Sequence, residues 1–317
     1  MDSERGELLA KVARMYFLDG MTQLEISSQL GYSRSCISRF LTEAKDEGIV
    51  EIRIHDPLPR VYILEEELKS EFILKEVRVL ESGNVAYMYA LKKLGALASQ
   101  LLTDNIRECQ ILGIAWGTSI YEMINSVRPM DCPWVKVVQL IGSAPAVGDH
   151  DDGPGLVRAL AQKLNAAYFT LQAPWILGDR LLRDALMEDP RLRDVLYLTE
   201  HVDVAIDGIG VMDPEFSGLV RAGYLTGEEV NGLRAMGVVG EFSGLHFDLD
   251  GNLIDIPRMG YVFGIKPDSL KRVPLSVGIA CSEKKAPAVL GAIRSGLINS
   301  LVVDNVVAKA VLKLAGL

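Results

Sequence analysis

A chain of 317 residues, 49% hydrophobic and 24% charged, is long enough for two globular domains and too apolar for a disordered one. Its 33 Lys+Arg against 42 Asp+Glu give a net charge of −9, which excludes a protein that coats nucleic acid by bulk positive charge but allows a small DNA-reading module. No run of about 18 uncharged apolar residues exists, which excludes a transmembrane helix, and the acids early in MDSERGELLAKVAR make a signal peptide unexpected.

The first elements are helical. Leu8, Leu9, Val12, Ala13, Tyr16 and Phe17 recur at helical spacing, and Asp19-Gly20 ends that helix. Thr22 caps a second helix and Glu25 completes a capping box, with Leu24, Ile26 and Leu30 as its apolar contacts. Gly31 breaks it. Ser33 caps a third helix that places Ile37, Phe40, Leu41 and Ala44 on one side and stops at Gly48. Ile49 to Ile54 then alternate with period two, as a half-buried strand does.

Helix, short helix, glycine turn, longer helix and strand is the order of a winged helix-turn-helix, predicted over residues 1–56. The third helix opens with Ser33, Arg34 and Ser35 and continues to Ser38 and Arg39. Hydroxyls there suit phosphate oxygens, and an arginine can reach guanine O6 and N7 with two bonds. The plainer reading is a solvated helix face with two incidental arginines. Residues 1–56 carry 7 Lys+Arg and 10 Asp+Glu, a net of −3, yet Gln29 to Thr42 hold two arginines and no acid. Cation is thus concentrated on one helix, and useful affinity is expected to need two copies.

Asp56-Pro57-Leu58-Pro59 marks a boundary, since each proline pushes the preceding residue out of helical geometry. A linker helix follows within 57–75, with Val61, Leu64, Leu68 and Phe72 on one face. That stripe either docks on the next domain or pairs with its twin in a dimer.

Residues 76–317 alternate between strand-like and helix-like stretches. Strands are predicted at 77–80, 110–116, 135–141, 167–171, 202–206, 273–281 and 300–303, with helices over 85–102, from 118, 156–164, 285–295 and 305–314. The fold class is therefore α/β, a doubly wound, mostly parallel sheet covered on both faces. Ligands in such sheets bind beyond the C-terminal strand ends. Gly117-Thr118-Ser119 is the sharpest such end, because glycine admits close backbone approach while two hydroxyls and free N–H groups at a helix start hold an anion. An ordinary strand-to-helix turn is the plain alternative.

Several chemistries are set aside. Gly208-Ile209-Gly210 lacks the third glycine of a dinucleotide fingerprint, and neither a P-loop nor a G-x-S-x-G elbow occurs. Cys36, Cys109, Cys132 and Cys281 form no CxxC pair, which fits a reducing cytoplasm without disulfides. His150-Asp151-Asp152 reads as a polar loop rather than a metal site, and no cofactor or metal is expected. Cys281 reads as a packed residue rather than a nucleophile.

Taken together, Thr22-Gln23-Leu24-Glu25-Ile26, Leu30-Gly31-Tyr32-Ser33-Arg34, Ile37-Ser38-Arg39-Phe40-Leu41 and Gly48-Ile49-Val50 resemble the DNA-binding domain of SorC-type regulators, the DeoR-like sugar-binding transcription factors of bacteria. The resemblance continues through Gly113-Ile114-Ala115-Trp116-Gly117-Thr118, Ala173-Pro174, Asp203-Val204-Ala205, Gly208-Ile209-Gly210, Gly223-Tyr224-Leu225, Phe247-Asp248-Leu249-Asp250-Gly251 and Lys285 with Ala288. It implies Gln23, Ser33, Arg34, Ser35, Ser38 and Arg39 as DNA contacts. It also implies an effector domain similar to sugar-phosphate isomerases, such as glucosamine-6-phosphate deaminase and ribose-5-phosphate isomerase.

By the same resemblance, Gly117, Thr118 and Ser119 hold a phosphate and Lys285 adds a cation. Gly142 and Ser143 form a glycine-rich strand end, Asp207, Gly208 and Gly210 complete the mouth, and Glu241 meets sugar hydroxyls. Two departures are Cys281-Ser282, where the family has a glycine pair, and Asp152-Gly153-Pro154, where it has an asparagine. The implied protein is a cytoplasmic homo-oligomer that binds operator DNA under control of a phosphorylated sugar or polyol, with no membrane partner. A sugar-phosphate isomerase or deaminase with an accessory domain is the alternative, since Asp207, Glu241 and Lys285 include an acid and a base. A sensor of protein partners or unphosphorylated sugars is a third.

Overall fold

The computed structural model describes residues 3–50, 58–83, 85–107, 110–143, 153–256 and 260–317. The chain divides into two compact units, Met1–Pro57 and Leu58–Leu317.

The first unit contains α1 (Ser3–Phe17), α2 (Gln23–Leu30) and α3 (Arg34–Asp46). Both sequence-predicted caps form. The Glu25 N–H donates to Thr22 Oγ1 at 3.3 Å while the Thr22 N–H donates to Glu25 Oε2 at 2.7 Å, and the Cys36 N–H donates to Ser33 Oγ at 3.2 Å. Gly31 ends α2 with φ 73°, a left-handed conformation that favours glycine. Leu9, Val12, Ala13, Met15, Ile26, Ile37, Phe40, Leu41 and Ala44 form the core. Leu24 departs from expectation and is exposed. Two residues from Ile26 it is rotated about 200° around the helix, so the two cannot face one core. The predicted strand at 49–54 falls mainly within 51–57, outside the described residues; Ile49 and Val50 pack against the helical core.

The second unit opens with α4 (Tyr62–Phe72), β1 (Glu76–Leu80), α5 (Tyr87–Asn105), β2 (Ile111–Ile114), α6 (Thr118–Ser126), β3 (Lys136–Gln139), α7 (Gly153–Leu164) and β4 (Ala167–Phe169). Next come β5 (Ile176–Leu177), α8 (Arg180–Met187), α9 (Arg193–Glu200), β6 (Val204–Gly208), β7 (Gly210–Val211), α10 (Gly218–Arg221) and α11 (Gly227–Ala235). It closes with β8 (Gly240–Phe242), β9 (Leu245–Phe247), β10 (Tyr261–Val262), α12 (Pro267–Lys271), β11 (Leu275–Ala280), α13 (Ala286–Ser295), β12 (Ser300–Asp304) and α14 (Asn305–Ala315).

Seven strands make one parallel sheet in the order β1-β12-β11-β6-β2-β3-β4. Helices cover both faces, which is why β11 and β12 are buried at every residue and are mostly apolar, with Ser276, Ser300 and Asp304 as buried polar exceptions. After β2 the chain builds outward to β3 and β4, then returns on the other side of β2 with β6, β11 and β12. The direction of winding therefore reverses between β2 and β6, where an open α/β sheet leaves a crevice.

The stripe on the linker helix has one fate. Leu64 and Leu68 are buried in the main core and Val61 and Phe72 pack against it. The stripe is thus consumed within its own chain and is not free to pair with a twin.

Candidate functional site

The crevice between β2 and β6 is built from glycines. Gly117 takes φ 129° between β2 and α6, a conformation L side chains rarely adopt. No side chain caps α6, so its first N–H groups and the positive end of its dipole face outward beside the Thr118 and Ser119 hydroxyls. Gly208, at the end of β6, leaves room for Ser119, whose Oγ would stand 3.4 Å from a Cβ at that position.

Two carboxyls approach from the other side. Ser243 and Gly244 turn from β8 to β9 with φ 50° and 76°, the positive pair of a tight hairpin turn. Their N–H groups divide between two acids: Ser243 N donates to Asp207 Oδ2 and Gly244 N to Glu241 Oε2, each at 3.0 Å. Asp207 also accepts from Ser243 Oγ at 3.0 Å and from Gly208 N at 2.6 Å. A side chain on Gly210 would collide with the Glu241 carboxylate. Lys285 is buried, its Nζ donating to the Ile209 carbonyl at 2.8 Å.

Burial dominates the electrostatics. It drives the Asp207 carboxyl well above the usual range, with Glu241 adding to the rise. It lifts Glu241 to about 7 against the Gly244 N–H and Lys285. Burial lowers Lys285 to about 8, helped by Arg221 and opposed by Cys281, Glu241 and Asp207.

Gly117, Thr118, Ser119, Asp207, Gly208, Gly210, Glu241 and Lys285 line one cavity of about 50 Å³. Sequence reasoning missed Trp116, Trp175, Phe216 and Arg221 on its wall. Arg221 supplies a second cation, and its Nη1 donates to the Phe216 carbonyl at 3.4 Å. Trp116 and Trp175 meet edge to face at 5.0 Å, and neither indole N–H has a hydrogen-bond partner among the described residues. So small a cavity encloses only part of a ligand the size of a sugar.

Gly142 and Ser143 lie outside this lining. Ser143 O accepts from Trp175 N at 2.9 Å, and a Cβ at Gly142 would stand 2.5 Å from the Pro174 carbonyl. These two residues hold the Trp175 strand rather than face the cavity. Gly142→Ala should therefore cost about 1–3 kcal/mol of stability by overpacking backbone, read as a lower unfolding midpoint. Full stability with lost ligand affinity would instead place Gly142 at the ligand.

Cys281 is buried and its thiol donates to Asp304 Oδ2 at 3.1 Å. Burial and the Asp304 charge push its pKa up, away from nucleophilic chemistry. His150, Asp151 and Asp152 lie outside the described residues, among which no cluster of three metal-ligating side chains occurs.

A wider cleft of about 910 Å³ lies between α8, α9 and residues 253–256 and 260–267. It holds none of the sequence-predicted residues. Much of its charge is already paired, Arg183 with Asp184 and Lys266 with Glu200. The smaller cavity is the better site because its helix start, cations and carboxyls converge.

In the first unit, Arg34, Ser35, Ser38 and Arg39 are exposed along α3 and Gln23 opens α2 half-buried. Ser33 Oγ and Ser35 Oγ lie 2.9 Å apart. Glu43, the acid next along α3, accepts from Arg5 Nε at 2.9 Å, which offsets its charge.

These features define a two-unit protein: a helical unit with a basic helix start, and an α/β unit whose switch-point crevice gathers a helix start, two cations and two carboxyls. Residues 57–313 match the family described as "Putative sugar-binding domain", and the chain belongs to that family. It is 31% identical over 98% of its length to the transcriptional regulator LsrR of Enterobacter sp. (strain 638), covering 94% of that protein. It is 27% identical to the sorbitol operon regulator of Klebsiella pneumoniae over 98% of this chain and 99% of that one. The crystal structure of the full-length sorbitol operon regulator SorC from Klebsiella pneumoniae superposes with a TM-score of 0.71 at 27% identity, covering 98% and 99% of the two chains. A DeoR family transcriptional regulator from Listeria monocytogenes matches with a TM-score of 0.72 at 26% identity, over 79% of this chain and 98% of that one. The SorC-type resemblance read from the sequence and the mostly parallel α/β fold both stand.

Proposed function

We propose that the chain is a sequence-specific transcriptional regulator of a carbohydrate operon, controlled by a phosphorylated sugar or polyol. Residues 1–56 read DNA through α3, residues 76–317 bind the effector and assemble the oligomer, and the helix within 57–75 joins them. The observation that carries the reading is the convergence of the uncapped α6 start, Lys285 and Glu241 at the β2/β6 crevice. The phosphate takes the helix start and the ammonium. Glu241 accepts from sugar hydroxyls, because Asp207 already accepts from three donors. The names of the relatives, regulators of sorbitol and deoxyribonucleoside genes among them, support a sugar-linked signal.

The protein acts in the cytoplasm as a homo-oligomer on operator DNA, without cofactor, metal or membrane partner and without turning its ligand over. Among the described residues no helix is long and apolar enough to cross a membrane. Calorimetry with matched sugar and sugar-phosphate pairs tests the effector: equal affinity for both members of a pair would remove the phosphate site. Product formation from the bound sugar phosphate, followed by NMR, would restore the isomerase reading.

On the DNA side, Arg34→Ala and Arg39→Ala should each weaken operator binding while effector binding and folding are kept. A base-reading arginine costs about 1–3 kcal/mol and relaxes one operator position, whereas a phosphate-only arginine weakens all sequences alike and flattens the salt dependence. Related half-sites about 10 base pairs apart, or at multiples of that, are expected in the operator. Unchanged operator affinity in both variants would remove α3 from the interface.

A further inference from the structure

Helix α8 turns its polar side toward the wide cleft. Arg180, Arg183, Asp184, Met187 and Glu188, spaced three and four apart, line that cleft of about 910 Å³, while Leu181 is 78% exposed. A surface helix ordinarily turns its apolar stripe inward. The space it faces falls within the range of about 300–1,000 Å³ common for small-molecule sites. Its charges cancel. The described residues of the lining include four basic and four acidic side chains, and Arg183–Asp184 and Lys266–Glu200 are already paired at 2.5 and 2.6 Å. A balanced, paired set of this kind favours neither an anion nor a cation.

The rest of the lining is largely apolar, with Ile176, Leu253, Ile254 and Ile256, and two tyrosines join them. The Tyr197 ring is stacked on His201 at 4.1 Å, and the Arg183 guanidinium lies over the Tyr261 ring at 5.5 Å. His246, also in the lining, is only 7% exposed, and its Nε2 has no hydrogen-bond partner among the described residues. Burial lowers its pKa to about 4, so the imidazole is neutral near pH 7. A neutral imidazole pairs one donor with one acceptor, and a hydroxyl satisfies either. An orphaned buried nitrogen costs about as much as a lost hydrogen bond, which such a hydroxyl would restore.

We propose that this cleft is a second binding site, separate from the β2/β6 cavity, for an uncharged cyclic sugar carrying no phosphate. Such a ring presents hydroxyls at its edge and C–H groups on its faces. The Arg183–Asp184 and Lys266–Glu200 pairs offer the hydroxyls donors and acceptors without net charge. Tyr197 and Tyr261 receive the C–H faces, and His246 takes one further hydroxyl. The α/β unit thereby reads two ligands of different charge, a phosphorylated one at the α6 start and a free sugar here.

The test is titration of the full-length protein with the methyl glycosides of glucose, galactose and mannose and with maltose. The readout is the ¹³C-methyl signal of Met187, identified by its loss in Met187→Leu. At least one of these sugars should shift that signal to saturation. Tyr197→Ala and His246→Phe should each weaken the binding by about twofold to tenfold, with melting curves as the folding control. Tyr197 is 60% exposed, so its truncation leaves the fold intact. Saturating inorganic phosphate, which probes the α6 start, should not change the affinity for the sugar. A failure of phosphate to bind would count against the effector reading alone. No shift at Met187 with any of the four sugars, wild-type affinity in Tyr197→Ala, or competition by inorganic phosphate would overturn the second site.

Discussion

Lys285→Met is expected to lower affinity for a sugar phosphate by about tenfold to a hundredfold while leaving the unphosphorylated sugar nearly unaffected. The lysine is buried at the cavity wall with one N–H bond used on the Ile209 carbonyl, and Met preserves the length and apolar body of the stem. What the variant loses is a charge-assisted bond to the phosphate, a contact worth about 1.5–3 kcal/mol. It also removes the cation that restrains the Glu241 carboxyl, whose pKa should therefore climb further above about 7. In cells the variant should bind its operator but answer poorly to the effector sugar phosphate. Titration calorimetry with the sugar and its phosphate separates the two losses. An equal drop for both ligands would mean that Lys285 supports the wall of the site instead of meeting the phosphate.

The sheet was legible because a parallel sheet writes itself as apolar runs: β1, β2, β3, β4, β6, β11 and β12 each fall within a predicted strand or overlap one by most of its length. The caps at Thr22 and Ser33 were legible because they are local, fixed by two or three residues in sequence. Residues 172–201 and 211–272 were not. Their strands β5, β7, β8, β9 and β10 have two or three residues each, too few for any period to register. That stretch nonetheless supplies much of the site. Glu241 could be placed only through the family resemblance, and Arg221, Phe216 and Trp175 went unnoticed, because nothing along the chain marks a residue brought in by a loop. Gly142 shows the converse limit. A glycine at a strand end reads the same whether a ligand or the Pro174 carbonyl comes close, and here it is the carbonyl.

Effector affinity should peak between about pH 7 and 8 and fall on both sides, because the two groups that bracket that range face one cavity. Burial holds Lys285 at about 8 in the free protein, so above that pH the ammonium must be recovered from solvent before it can meet a phosphate dianion. Binding then takes up a proton, and affinity should drop by up to about tenfold per pH unit. Below about 7 Glu241 gains a proton and ceases to be a pure acceptor for sugar hydroxyls. Near pH 6 the phosphate begins to lose its second charge as well.

Stability of the ligand-free protein follows different signs. Lys285 is lowered from its ordinary value, so between about 8 and 10.4 the unfolded chain binds more protons and stability rises with pH. Glu241 is raised, so between about 4.3 and 7 the folded chain binds more protons and stability falls as pH rises. Above about pH 8 the Lys285 contribution therefore strengthens the fold while the effector binds less well, a divergence that general alkaline unfolding does not produce. Calorimetry in two buffers of different ionisation heat should show proton uptake near pH 9, and Lys285→Met should abolish it. Constant affinity across that range, with no dependence of the heat on buffer, would mean that Lys285 is not the group that meets the phosphate.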